Sequence, residues 1–233
     1  QASTGATWPL PRQAWTATFV LALASMFAQF DRVVFNLNVE PIKTAFSLDD
    51  TKFAILQGIA FGLFYVLCAI PIGRLVDRYQ RRIVLSVSLA FFSIASMCSG
   101  LVKGFGQMFV SRMGVGVGEA SITPCGLSML SDLFPPNKLG RAISLFLISA
   151  PLGVGLGFIA GGKLIGELNL YAQGNALPFG LAPWQFSFLL VSLPGLLLVP
   201  FAFLLPEPVR KGPGSQSPLS IKQVVDVLKV RKH

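Results

Sequence analysis

Residues 53–82 read FAILQGIAFGLFYVLCAIPIGRLVDRYQRR. No charged side chain occurs from Phe53 to Gly73, and the nine positions that follow hold Arg74, Asp77, Arg78, Arg81 and Arg82. A helix rises about 1.5 Å per residue, so about 20 apolar residues cross the hydrocarbon core of a bilayer. The abrupt basic cluster marks the return to water. This stretch therefore reads as a membrane-crossing helix followed by a tight, positively charged connection.

The same pattern recurs on both sides of it. Spans are expected at about 13–39, 53–73, 83–102, 104–131, 142–162 and 184–205, interrupted only by Asp31 and Arg32 in the first and by Arg112 and Glu119 in the fourth. The implied fold class is an all-α membrane protein with a six-transmembrane-helix bundle over residues 1–205. Composition agrees: 53% of the 233 residues are hydrophobic and 12% charged, about half the charged share of an ordinary soluble domain. The 23 glycines and 16 prolines fall largely inside the spans, which suits helices packed on one another. No basic run precedes the first span, so it is not expected to be a cleaved signal peptide.

Several function classes drop out early. Cys68, Cys98 and Cys125 lie within spans and are odd in number, which fits small packing residues and not a disulfide framework. His233 is the single histidine and the last residue, so no histidine-based metal site or acid–base pair is expected. No enzyme constellation, metal site or bound cofactor is expected; protons are the coupling ion that the buried acids could carry.

The net charge of +9 could signal nucleic acid, but the placement of the charges argues against that partner. Thirteen of the nineteen Lys and Arg residues lie at the amino end, in the second and fourth connections, or in the carboxyl tail. The positive-inside rule then places both termini in the cytoplasm, with the protein in a cell (inner) membrane. Residues 206–233 change character to Pro, Gly and Ser, then to Ile221, Val224, Val225 and Leu228 at helical spacing behind Ser220. This reads as a cytoplasmic linker with a short amphipathic helix against membrane lipids.

Charges inside a membrane cost at least about 2.5 to 3.5 kcal/mol at a helix centre, so Asp31, Arg32, Arg112 and Glu119 need partners or water. Asp31 and Arg32 point about 100 degrees apart on their helix, whereas Arg112 and Glu119, two turns apart, share a face. That face can set a cation beside a carboxylate along a cavity against the first helix. Arginines suit an anionic headgroup, a carboxylate in such surroundings can carry a proton, and Phe61, Phe64, Tyr65 and Met113 can wall an apolar chain. A purely structural role remains open, because two acids and two bases balance as ion pairs between the first and fourth helices.

Gly73-Arg-Leu-Val-Asp77-Arg78-Tyr-Gln-Arg81-Arg82 resembles the loop between the second and third helices of the major facilitator superfamily, with Gln80 where glycine is usual. Gly73 would allow close approach at a helix end, and Asp77 would pair with arginine and complement a helix amino terminus. Arg112-Met-Gly114-Val-Gly116-Val-Gly118-Glu119-Ala120 resembles the fourth helix of that superfamily, its glycines serving close packing. The fifth helix, with Pro151, Gly153, Gly155, Gly157, Gly161 and Gly162, lacks the Gly-Pro pair of the antiporter motif. Within the superfamily the chain is similar to the spinster-like transporters through Asp31-Arg32, Glu40-Pro41-Ile42-Lys43, Gly58-Ile-Ala-Phe61, Gly116-Val-Gly118-Glu119-Ala120 and Ser131-Asp132-Leu-Phe134-Pro135-Pro136.

The resemblance implies the amino-terminal half of a twelve-helix fold whose partner is a carboxyl-terminal six-helix half. It also implies transport of a lipid-like small molecule, a lysophospholipid or sphingosine-phosphate-like anion, coupled to protons. Asp31 and Glu119 would couple the proton, Arg32, Arg112, Phe61 and Tyr65 would bind substrate, and Gly73, Asp77, Arg78, Arg81 and Arg82 would form the conformational motif. Two other readings stay open: a transporter of another small organic anion or drug, and a non-transporting oligomeric scaffold or channel.

Overall fold

A computed structural model describes residues 8–210. The expected amphipathic helix of the carboxyl tail lies outside these residues. Eight helices follow in order: α1 (Pro11–Leu37), α2 (Val39–Phe46), α3 (Asp50–Arg78), α4 (Arg81–Ser99), α5 (Phe105–Glu119), α6 (Ile122–Leu133), α7 (Pro136–Gly174) and α8 (Pro183–Phe203). Five of them, α1, α3, α4, α7 and α8, are each long and apolar enough to cross a membrane. The fourth crossing is the exception, being divided into α5 and α6. Pro124 has no N–H to offer the Ala120 carbonyl and its ring crowds that turn, so the helix kinks at Ala120 and Ser121, both still right-handed.

Boundaries shift where local chemistry allows the helix to run on. The fifth crossing was expected over 142–162 and extends over Pro136–Gly174. It and α3 each contain a π-helical turn, Gly157–Gly161 and Ile55–Leu63 respectively. Gln80, at the site where the family motif has glycine, is extended at φ −65°, ψ 120°, so nothing there demands glycine.

α1 is the hub and packs against α6, α7 and α8, while α5 packs between α3 and α4. The core joins Leu21, Ala24 and Ala28 of α1 to Leu85, Leu89 and Phe92 of α4 and to Met129, Leu130 and Phe146. A second cluster joins Phe35, Ile42, Phe53, Met108, Trp184 and Phe188. Glycine determines how close α5 comes to its neighbours: a Cβ at Gly118 would sit 2.7 Å from the Phe92 Cα. The close packing expected of that glycine run is therefore present.

Gly73 departs from expectation. Added bulk there would meet nothing within 4 Å, and the same holds for Gly58 and Gly62 of α3 and for Gly155, Gly162 and Gly166 of α7. The faces of α3 and α7 that carry these glycines also expose Val66, Leu67, Ile70, Leu152 and Ile159. Among the described residues, nothing covers them.

Candidate functional site: a charged cluster beside a cavity

α1 carries Asp31 and Arg32 in successive positions, and the helical turn sends them to different surroundings, as expected. Asp31 is 1% exposed and faces α4 and α5. The Ser96 hydroxyl donates to its Oδ1, and Arg112 Nη1 lies 3.3 Å from its Oδ2. Arg112 also donates through Nη2 to Ser99 Oγ at 2.6 Å, and its guanidinium stacks over Phe35 at 4.6 Å and Phe188 at 5.5 Å. Both members of this ion pair are buried.

Arg32 forms the other pair. Its Nε donates to Glu119 Oε2 at 2.9 Å, and its Nη2 reaches the same oxygen. Glu119 is 3% exposed, and its second oxygen, Oε1, is buried without a partner. The Arg32 side chain retains 34% exposure, far more than Asp31, Arg112 or Glu119. Its guanidinium stacks over Phe61 at 4.2 Å and sits 5.7 Å from Tyr65, whose ring stacks on Phe61 at 5.8 Å.

A cavity of about 220 Å³ opens beside this arrangement, lined by Arg32, Phe35, Asn36, Leu56, Gln57, Phe61 and Arg112. Arg32, Arg112 and Phe61 line it as the sequence predicts. Tyr65 supports Phe61 from behind, while Phe64 and Met113 are not among the lining residues. Asn36 and Gln57 were not singled out as site residues. The available signal was Gln57 itself, the one amide or charged side chain between Phe53 and Gly73. Asn38, between α1 and α2, has a packing role: its Nδ2 donates to Val34 O at 2.9 Å and Ser187 Oγ at 3.1 Å.

The basic connection forms a second cluster at the opposite end of the bundle. Arg81 is fully buried at 1% exposure, an uncommon place for a cation. It donates to Asp132 Oδ2 at 2.5 Å, Glu207 Oε1 at 3.0 Å, Ser128 O at 3.0 Å and Pro208 O at 2.8 Å. Glu207 Oε2 accepts from the Arg82 backbone N–H, and Arg210 reaches the carbonyls of Val76 and Tyr79. The segment after α8 is thus tied to the α3–α4 connection.

Asp77 does not take the role expected of it. It is exposed in the last turn of α3 and makes no hydrogen bond or ion pair among the described residues. Arg78 is exposed as well. Asp132 and Glu207 supply the carboxylates that meet Arg81.

Residues 21–232 match the family model described as Major Facilitator Superfamily. The chain belongs to the major facilitator superfamily. It is 27% identical over 199 residues to Protein spinster of Drosophila melanogaster, covering 85% of this chain and 31% of that protein. To a probable L-galactonate transporter of Escherichia coli (strain K12) it is 31% identical over 139 residues, covering 60% of this chain and 30% of that protein. Its fold overlays a bacterial homolog of the human lysosomal transporter Spinster, solved inward-facing and unoccupied, with a TM-score of 0.80 at 27% identity, covering 93% of this chain and 47% of that one. The chain therefore spans less than half the length of these relatives. As a major facilitator chain it is an integral membrane protein of a transporter family, not an enzyme family.

Proposed function

We propose that this major facilitator chain is the amino-terminal six-helix half of a proton-coupled secondary transporter for an anionic amphiphile such as a lysophospholipid or sphingosine-phosphate-like lipid. A second six-helix half would complete the transport path, with both termini cytoplasmic in a cell membrane. One observation carries the reading: Arg32 faces the cavity with its charge compensated by a carboxylate buried behind it. A structural ion pair has no need of a cavity or of a half-open arginine. The exposed, glycine-bearing faces of α3 and α7 support docking of the missing half, since small residues let membrane helices approach closely.

The coupling follows from competition for one guanidinium. With Glu119 ionised, Arg32 is held by it; with Glu119 protonated, Arg32 turns its donors to a phosphate or carboxylate in the cavity. Proton and anion then bind together. Arg112 and Ser96 engage both oxygens of Asp31. Glu119 Oε1, by contrast, is unpartnered and can accept a proton without breaking a bond.

A second reading, transport of a smaller hydroxylated anion, is supported by the cavity volume and by the resemblance to the probable galactonate transporter. Flux of lysolipids and sugar acids into proteoliposomes carrying the full-length protein, with and without a pH gradient, tests both. Uptake is expected to rise with a proton gradient in the direction of flux and to fall about tenfold or more in Arg32→Ala. Unchanged uptake in that variant would remove the headgroup assignment.

A further inference from the structure

Gln57 and Asn36 face each other across the mouth of the cavity, where Gln57 Nε2 donates to Asn36 Oδ1 at 2.9 Å. Each side chain is exposed in this half, so the pair is not buried packing. Asn36 stands one turn beyond Arg32 on α1, and Gln57 one turn before Phe61, the ring on which Arg32 stacks. The pair therefore lies about 5 to 6 Å along the helix axes from the cationic centre, one helical turn. Gln57 also falls within the π-helical segment Ile55–Leu63, a rare geometry that is frequent at functional sites.

The mutual bond consumes one donor of Gln57 and one acceptor position of Asn36. Among the groups that remain free are the Gln57 Oε1 acceptor, its second Nε2 hydrogen and the Asn36 Nδ2 donors, a combination suited to a group that both donates and accepts. A carboxylate or phosphate oxygen only accepts and would leave the Gln57 oxygen unanswered. A hydroxyl satisfies both.

We propose that Asn36 and Gln57 form a hydroxyl-reading subsite beside Arg32, so that the cavity selects an anion bearing a hydroxyl a few bonds from its charged group over a plain anion. This rests on the reading of the cavity as the substrate site. The shared chemistry has two sources, the glycerol hydroxyl of a lysolipid headgroup and the hydroxyls of a sugar acid.

The test measures initial uptake by the full-length protein in proteoliposomes for two pairs of probes. One pair is lysophosphatidic acid and its analogue lacking the glycerol hydroxyl; the other is galactonate and hexanoate. The hydroxylated member of one pair is expected to enter about fivefold faster, the worth of roughly one net hydrogen bond. The responding pair identifies the source. In Gln57→Leu and Asn36→Leu that ratio is expected to fall to about one. A wild-type ratio of one in both pairs, or a preference that survives both substitutions, overturns the subsite while leaving the transporter reading intact. Uptake that is absent for all four probes, or indifferent to Arg32→Ala, removes the substrate-site reading itself and the subsite with it.

Discussion

At the scale of single residues, the four charges in the membrane divide into two pairs with different solvent access. Asp31 and Arg112 are both buried, so Asp31→Asn leaves a cation inside the bundle with its ionic partner gone. Breaking such a pair typically costs about 3–5 kcal/mol, and a lowered thermal midpoint of the purified protein in detergent is the expected outcome. An unaltered midpoint would show that Arg112 finds water instead. Glu119→Gln should be milder, because the Arg32 left behind is a third exposed and stacked on Phe61. In that variant anion binding is expected to lose its pH dependence and to stay tight at neutral pH, as read by binding titrations from acid to neutral pH.

The elements carry two further expectations. Arg81 ties α4, α6 and the segment after α8 together through Asp132, Glu207 and the Pro208 carbonyl. Arg81→Gln keeps part of the hydrogen bonding but leaves two carboxylates without their cation. The segment around Glu207 should then exchange backbone hydrogens faster, while the charged cluster at the other end of the bundle keeps its protection. At the short α2–α3 turn, Lys43 Nζ lies 2.7 Å from Asp50 Oδ1. The hydrogen bond and charge of Lys43 hold Asp50 below the usual 3.8, and Asp50 in turn raises Lys43 above 10.5. A carboxylate lowered in the fold stabilises it above its unfolded value and loses that contribution as pH falls through the folded value. Both side chains are on the surface, so the effect is local. A titration of Asp50 that returns to the unshifted range in Lys43→Ala is the expected reading.

For the whole molecule, glycine separates internal contacts from faces still to be covered. Gly118 meets Phe92 at once, so Gly118→Leu is expected to lower the stability of the full-length protein. Gly62 meets nothing within 4 Å, so Gly62→Leu should leave this half folded. If a second half docks on α3, the same substitution should slow transport without a comparable loss of stability. Equal effects of the two substitutions on stability alone would place the partner elsewhere.

The membrane-crossing helices and the four charges that interrupt them were legible in the sequence because a bilayer imposes a length and a charge penalty on each segment separately. Contacts between segments were not, since they depend on helix rotation and on which neighbour arrives. Asp31 meets Arg112 and Ser96, Arg32 meets Glu119, and the pairing depends on which side chains of α4 and α5 face α1. Gln57 read as an isolated amide until α1 brought Asn36 to it, and Asp77 read as the partner of arginine until Asp132 and Glu207 took that place. The hydrophobic pattern of one chain segment was enough to identify a membrane helix. Tertiary packing alone decided which charges compensate one another and that Arg32, of the four, keeps the most exposure beside the cavity.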